Sequence, residues 1–417
     1  MAGEVQLTCS THKDSVPVLA QPQLAYVLLE IMPTQVMANV QMPLNFCFVL
    51  DKSGSMAEDN KIGQLREAVK YAIDLLQPND IVSIIAFESS PRVLVASQSA
   101  HDKNRLKREV DRLDAGGGTQ MAPAMRAGLG EVRKNLVHDR VNRLVILTDG
   151  QTEGESDCAR EADNAARDGV SVIALGLGTD WNENLLRQVA QQSGDQGVAD
   201  YIAQPDQIGQ YFQQVVQEMQ GAVVQNALLT LRLIAGLSPR KVWRVAPLIG
   251  DLGVRPLSDR DVQVSLGELV KDQGQGILVE LLLPPRADGR YRIAQADLSY
   301  DVPMLRLTGE HARADITIAF TSNPALAAPV NPRVMNIVEK VTAFKLQTRA
   351  LQDAQAGDRA GATQRLRQAA TMLLGQGEAD LARTINLEAE RLEREGKMSE
   401  EGKKTIQFKG GKTVKLG

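Results

Sequence analysis

An apolar run that ends in an acidic, hydroxyl-rich turn, NFCFVLDKSGSM, occupies residues 45–56. Its first six residues carry no charge, which is typical of a strand buried on both faces of a sheet. Similar apolar runs follow, separated by segments with helical periodicity, at residues 81–87, 143–147 and 170–175. Repeated strand, helix, strand units of this size predict an α/β fold with a doubly wound parallel sheet, Rossmann-like in layout. The ligand site of such a sheet lies at the carboxyl ends of its strands.

The sequence on either side of this α/β region has a different periodicity. Residues 222–330 alternate apolar and polar side chains between Gly and Pro residues, which predicts an antiparallel β-sandwich. Residues 1–42 contain one strand-like run, 25–31, and are too short to fold alone. We therefore expect these residues to pair with the later strands, so that the α/β domain, residues 43–221, is inserted in a β domain.

The chain turns helical again beyond the β domain. Residues 331–396 show helical periodicity, and the segments after Gly357 and Gly377 predict a C-terminal helical hairpin. One such hairpin cannot build a solenoid, so we expect it to cap or dock against the β domain.

The last segment, residues 397–417, is a basic tail with two similar five-residue stretches on either side of Gly410-Gly411. Their alternating pattern predicts a β-hairpin, and a disordered tail is the alternative. A third interpretation is phosphorylation. Thr405 and Thr413 each precede an apolar residue by three positions, which resembles the ligands of forkhead-associated domains.

Composition excludes several classes of function. The chain of 417 residues has 47 basic and 51 acidic side chains, a net charge of −4 and only 4% aromatic residues, so it lacks the features of a nucleic-acid binder. No apolar run is long enough for a membrane span. Three dilute cysteines and an N-terminus without a signal-peptide pattern predict a cytoplasmic protein. Its oligomeric state is left open.

Carboxylates and hydroxyls collect where the predicted strands end. Asp51, Ser53 and Ser55 follow the first strand, Thr119 follows three consecutive glycines, and Asp149 follows a later strand. Ser and Asp are also common helix caps, which is the structural alternative. An all-oxygen set favours a hard cation, Mg²⁺ first, with Mn²⁺ or Ca²⁺ as alternatives. Neutral hydroxyl ligands would leave such an ion with positive charge to attract an external anion.

This spacing resembles the metal-ion-dependent adhesion site of von Willebrand factor A (VWA) domains of a bacterial cytosolic kind. The arrangement of an A domain inserted in a β domain is similar to inter-alpha-trypsin inhibitor heavy chains and calcium-activated chloride channel-like proteins. The resemblance implies that Ser53, Ser55 and Thr119 contact the metal directly or through water. It implies that Asp51 and Asp149 act mainly from beyond the direct ligands.

Together these features predict a non-catalytic protein that binds a partner's Asp or Glu through Mg²⁺. The four histidines lie in charged segments away from the proposed site and are expected at the surface: His12, His101, His138 and His311. Three alternatives stay open. They are an adaptor of a MoxR-type AAA+ ATPase, a partner in kinase and forkhead-associated signalling through the C-terminal threonines, and a metal-dependent hydrolase.

Overall fold

The computed structural model describes residues 3–412, which form two compact units. The insert unit comprises residues 40–223 together with 303–305. The β–helical unit comprises residues 3–39, 224–302 and 306–412. Over residues 3–412, none of the helices has both the length and the apolar character that crossing a membrane requires.

Three strands precede the insert unit: β1 (Val5–Thr11), β2 (Ser15–Pro17) and β3 (Gln23–Pro33). The insert unit then forms one six-stranded sheet in the order β6-β5-β4-β7-β8-β9. Its strands are β4 (Leu44–Asp51), β5 (Ile81–Phe87), β6 (Pro91–Ser99), β7 (Val141–Thr148), β8 (Ser171–Leu177) and β9 (Val198–Ile202). All neighbours run parallel except β6, which is antiparallel to β5.

Six helices cover this sheet: α1 (Lys61–Leu75), α2 (Lys103–Val110), α3 (Met121–Arg133), α4 (Glu155–Arg167), α5 (Glu183–Gln192) and α6 (Ile208–Gly221). Every residue of β4 is buried, as expected for a central strand with helices on both faces. One layer of the core is built from apolar side chains of β4, α1 and α6, including stacked Phe48 and Phe212 rings 5.0 Å apart. The predicted doubly wound α/β fold is confirmed.

Two strands of the insert sheet were not predicted. β6 is the half-exposed edge strand, and β9 is a short edge strand that follows α5. Edge strands carry polar residues because only part of their surface is buried, so they lack the continuous apolar run that reveals β4 and β7.

The β–helical unit contains eight more strands: β10 (Ala222–Leu233), β11 (Ser238–Ala246), β12 (Gly250–Asp251), β13 (Arg255–Pro256), β14 (Asp261–Val270), β15 (Gln275–Leu283), β16 (Gly289–Val302) and β17 (Leu307–Thr321). They form two sheets, β1-β3-β15-β11-β12 and β13-β14-β10-β16-β17-β2. β3 pairs with β15 in antiparallel register over its whole inner stretch, with Leu28 opposite Leu278. The N-terminal strands thus complete sheets built from residues beyond the insert, and the predicted insertion in a β-sandwich is confirmed.

Five helices follow β17 in the part of the chain that ends at residue 412: α7 (Pro324–Ala327), α8 (Pro332–Gln355), α9 (Arg359–Gly375), α10 (Ala379–Glu395) and α11 (Glu400–Lys409). α8 packs Val334, Ile337 and Val341 against Leu28 and Trp243 of the first sheet. α9 and α10 form the predicted helical hairpin and share an apolar core with α8 and α11. The helical region docks on the β domain through α8.

The predicted β-hairpin of the tail is wrong over its first arm. Residues 400–409 form α11, whose start is capped by Ser399 Oγ accepting the Gly402 N–H at 2.9 Å. Gly402 and Ile406 are buried one turn apart, and Ile406 belongs to the apolar core that α11 shares with α8, α9 and α10. The acidic residues Glu400 and Glu401 lie in the first turn, where the helix dipole favours them.

One histidine departs from the expected surface location. His12 is buried, and its Nδ1 accepts the Tyr26 N–H at 3.2 Å while its ring meets the Tyr26 ring edge-on. Burial lowers the pKa of His12, which fits a neutral acceptor in the core of the β–helical unit.

Candidate metal centre

The centre lies at the carboxyl edge of the insert sheet, where two adjacent strands end. β4 ends at Asp51 and β7 ends at Thr148, and the two strands are parallel with Leu50 opposite Leu147. β4 lies between β5 and β7, so the direction of strand addition reverses beside it. This reversal point is where doubly wound sheets leave a crevice for ligands.

Asp51 is fully buried and shapes the turn that follows it. Its Oδ1 accepts the Ser53 N–H at 2.8 Å, and its Oδ2 accepts the Thr148 hydroxyl at 2.6 Å. Burial raises the pKa of the Asp51 carboxyl above its ordinary value, and the Asp149 charge adds to that increase. The hydrogen bonds lower the pKa but do not outweigh burial. Asp51 thus holds the Ser53 turn to β7, and a nearby cation would reduce the cost of its buried charge.

The hydroxyls after Asp51 form a hydrogen-bonded chain to the second carboxylate. Ser53 Oγ and Ser55 Oγ lie 3.1 Å apart, and Ser55 Oγ donates to Asp149 Oδ1 at 2.7 Å. Ser53 and Asp149 are both buried. Four of the five predicted residues therefore meet around one point.

The fifth residue, Thr119, lies beside the same point because it follows the glycine loop, residues 116–118. Gly116 N–H donates to the Lys52 carbonyl at 2.7 Å, and Gly54 N–H donates to the Gly117 carbonyl at 3.1 Å, so this loop is bonded to the turn after β4. A Cβ built on Gly150 would lie 3.7 Å from Thr119 Oγ1 and 3.9 Å from Ser55 Oγ. Both hydroxyls therefore border the backbone of the residue after Asp149.

Lys61 is a member of the centre that the sequence analysis missed. It is the first residue of α1, and its Nζ lies 2.7 Å from Asp149 Oδ2 and 3.4 Å from the Ser55 carbonyl. Its side chain is only 14% exposed and the Asp149 carboxylate is 0% exposed. Thr148 was also missed, although its place at the end of an apolar strand before Asp149 is a usable signal. No local pattern marks Lys61.

A second ion pair lies at the rim. Lys52 Nζ is 3.3 Å from Glu88 Oε1, and the Glu88 carboxylate occupies the space that a side chain on Gly117 would need. Ser89 Oγ accepts the Gly118 N–H at 3.0 Å. The loop after β5 thereby supports the glycine loop that carries Thr119.

The donor set is suited to a hard divalent cation. Its polar side-chain atoms are carboxylate and hydroxyl oxygens, and such oxygens are the ligands that Mg²⁺, Mn²⁺ and Ca²⁺ take in proteins. Within the described part of the chain, residues 3–412, no group of three or more His, Cys, Asp or Glu side chains is arranged to hold a metal. A metal site in this region would therefore depend on the hydroxyls of Ser53, Ser55 and Thr119.

The two predicted phosphorylation sites, Thr405 and Thr413, are in the C-terminal segment of the chain. Thr405 is half-buried on α11, between the buried residues Lys404 and Ile406. A kinase binds its acceptor residue in an accessible segment, so the packed helix disfavours Thr405 as a substrate. Thr413, the other predicted phosphorylation site, lies outside the described residues.

The doubly wound sheet, the reversal point at β4 and the turn Asp51-Lys52-Ser53-Gly54-Ser55 define the insert unit as a VWA-type domain. In agreement, residues 45–214 match the von Willebrand factor type A domain family. Residues 332–415 match a second family, the Sll0103-like C-terminal alpha-helical domain. VWA domains are in general protein–protein interaction modules.

Comparison with individual proteins agrees. The protein sll0103 of Synechocystis sp. is 31% identical over 344 residues, which are 79% of this chain and 78% of that one. Inter-alpha-trypsin inhibitor heavy chain H4 of Homo sapiens is 32% identical over 202 residues, 45% of this chain and 21% of that protein. The structure of a von Willebrand factor type A protein from Catenulispora acidiphila has the same fold, with a TM-score of 0.79, 20% identity and coverage of 99% and 97%.

The chain therefore belongs to the family of von Willebrand factor type A domain proteins that carry an Sll0103-like C-terminal helical domain. The resemblance inferred from the sequence is confirmed at the level of the domain and of its arrangement.

Proposed function

We propose that this protein is a non-catalytic, divalent-metal-dependent protein-binding protein. Ser53, Ser55 and Thr119 hold a Mg²⁺ ion, with Asp51 and Asp149 supporting it, and a partner protein contributes an Asp or Glu carboxylate. The observation that carries the proposal is the continuous hydrogen-bonded chain Asp51, Ser53, Ser55, Asp149 at the carboxyl edge of the sheet. Mn²⁺ or Ca²⁺ would satisfy the same oxygen ligands.

The residues of the centre have different roles in the proposed binding. Asp51 fixes the Ser53 turn, Ser55 links that turn to Asp149, and the glycine loop presents Thr119. A bound divalent ion supplies a coordination position for an anionic group from outside. Because the ligands proposed to contact the ion are neutral hydroxyls, a carboxylate from outside would be the anion that coordinates it directly.

Several features favour binding over catalysis. Cys47 and Cys158 are buried, and burial raises the pKa of each thiol to about 12, so neither is a nucleophile. Among the residues that the structure describes, none of the four histidines hydrogen-bonds to a residue of the centre. With no activated nucleophile paired to a base, the centre resembles a ligand site rather than a hydrolytic one.

The chemistry of the whole chain supports a protein partner in a reducing compartment. A net charge of −4 gives no attraction for nucleic acid, and the positive charge that attracts an anion would be local to the metal. The three cysteines are free thiols in the structure, which suits the cytoplasm.

Calorimetric titration with Mg²⁺ and Mn²⁺ tests the metal site. We expect wild-type protein to bind one ion and Ser55→Ala to bind it at least about tenfold more weakly, because a direct ligand is lost. Ser156→Ala, at an exposed position of α4, is the matched control and should bind like wild type. Equal affinity in Ser55→Ala, or no binding by wild type, would contradict the proposal.

Partner capture from native lysate, in Mg²⁺ and in EDTA, tests whether a partner protein binds through the metal. We expect a partner to be retained in Mg²⁺, released by EDTA and not captured by Asp149→Ala. Capture that persists in EDTA would show that binding does not pass through the metal.

A further inference from the structure

Lys61 places a positive charge inside the centre. Its Nζ is 2.7 Å from Asp149 Oδ2, and the carboxylate it contacts is fully buried. Lys70, on the same helix, offers a contrast, because it pairs with Glu67 and Asp111, whose side chains are 72% and 55% exposed. Exposed pairs of that kind contribute little, whereas an ammonium beside a buried carboxylate interacts strongly with it.

The backbone before α1 is arranged to bring Lys61 to this position. Asp59 and Asn60 both adopt left-handed backbone conformations, with φ of 48° and 56°, which Asp and Asn tolerate better than most other residues that carry a side chain. The Asn60 side chain then occupies the space beside Gly63, where a Cβ would lie 2.1 Å from Asn60 Oδ1. Two left-handed residues and a glycine therefore set the start of the helix at Lys61.

The charges of the centre decide what this ammonium does. Asp51 and Asp149 bring two negative charges, which would balance a divalent ion on their own. With Lys61 included, the same ion gives the centre an excess of one positive charge. In a site that is largely removed from solvent, such an excess repels the ion and attracts a second anion strongly.

We propose that Lys61 is an internal counter-cation that weakens the binding of a divalent metal alone and couples metal binding to the binding of an anionic ligand. The inference rests on the proposed metal-dependent function and names the residue that regulates it. Because coupling between two ligands is reciprocal, the carboxylate of a partner strengthens metal binding by the factor with which the metal strengthens partner binding. Lys61 thereby favours the ternary state over a site filled by metal alone.

The experiment measures Mn²⁺ affinity of the full chain by electron paramagnetic resonance, with and without acetate as the carboxylate probe. Lys61→Met removes the charge and keeps the length of the side chain. We expect it to bind Mn²⁺ at least about tenfold more tightly than wild type without acetate, since a repulsive charge near the ion is gone. Acetate should strengthen Mn²⁺ binding in wild type and have a smaller effect in Lys61→Met.

Two further variants separate charge from other effects. Lys61→Arg keeps the charge and should retain the wild-type pattern. Lys70→Met removes a positive charge that is paired with the exposed carboxylates of Glu67 and Asp111, and it should match wild type. If Lys61→Met fails to fold without metal, Lys61→Gln serves in its place, because it removes the charge but keeps a hydrogen-bond donor to Asp149.

Each result has a definite meaning. Mn²⁺ affinity in Lys61→Met that equals or falls below the wild-type affinity overturns the inference, as does an acetate effect of equal size in both proteins. Absence of Mn²⁺ binding by wild type overturns the proposed function itself. Tighter Mn²⁺ binding in the neutral variants, together with a reduced acetate effect, supports the inference.

Discussion

Gly117 shows how a single residue controls the shape of the centre. It adopts a φ of 84°, and a Cβ there would lie 1.7 Å from the Glu88 carboxylate. We expect Gly117→Ala to lower the free energy of unfolding by about 1–2 kcal/mol, because of the left-handed backbone and the displaced Glu88. Mn²⁺ binding should weaken as well, since the loop carries Thr119. Urea denaturation and Mn²⁺ titration measure the two effects.

A neighbouring glycine supplies the control. A Cβ on Gly116 would meet nothing within 4 Å, and its φ is not positive. Gly116→Ala should therefore leave stability and Mn²⁺ affinity close to wild type. Equal losses in both variants would show that any added methyl group disturbs the loop, and that the conformation of Gly117 has no special role.

Among the elements, β10, β16 and β17 are joined by one buried carboxylate. Asp297 of β16 is 3% exposed and contacts Arg232 of β10 at 2.8 Å, and His311 and Arg313 of β17 at 2.7 and 3.2 Å. Burial raises its pKa, but the hydrogen bonds from His311 and Arg313 outweigh burial, so the pKa of Asp297 is lowered overall. This stabilisation is present above the ordinary carboxyl pKa and is lost as the pH falls through the native pKa.

Replacing this carboxylate gives a pH-dependent prediction. Asp297→Asn should lower the free energy of unfolding at pH 7 by roughly 1–3 kcal/mol, the contribution of hydrogen bonds to a charged group. The difference from wild type should shrink as the pH falls from the ordinary carboxyl pKa, about 4, through the lower native pKa, because the wild-type carboxyl is then protonated as well. Asp315→Asn, at a side chain 48% exposed on β17, is the control and should change stability little. A wild-type advantage that persists in strong acid would contradict the charge-based explanation.

At the scale of the whole molecule, the insert unit has its own core, whereas the β–helical unit is assembled from segments far apart in sequence. Phe48 and Phe212 stack within the insert unit, and β3 lies between β1 and β15 in a sheet of the other unit. We expect residues 40–223 alone to unfold cooperatively and to bind Mn²⁺ with the affinity of the full chain. Circular dichroism on heating and Mn²⁺ titration test this.

The complementary fragment, residues 224–417, should not fold on its own. Residues 224–417 without the N-terminal strands lack β3, whose loss would expose the edge of β15 and the apolar face under α8. We expect this fragment to aggregate, and addition of residues 1–39 through a short flexible linker to restore folding. Cooperative unfolding of residues 224–417 alone would contradict this account.

Local pattern in the sequence was enough to predict the central strands, the inserted arrangement and the five residues of the candidate centre. β4 and β7 are buried on both faces, so their apolar runs are continuous and mark where each strand ends. Asp51 is the last residue of β4, and Asp149 is the first residue after β7. Parallel neighbours bring their carboxyl ends to one edge of the sheet, so the convergence of the site follows from the fold class.

Only the tertiary structure decided the contact of Lys61 with Asp149 and the helical state of residues 400–409. Lys61 is 88 residues from Asp149, and left-handed residues before α1, rather than any spacing, direct it to the carboxylate. The alternating pattern around Thr405 suits a strand, but Ile406 is buried in the core of α8, α9 and α10, which selects the helix. A sequence records local preference, whereas burial against distant partners exists only once the chain has folded.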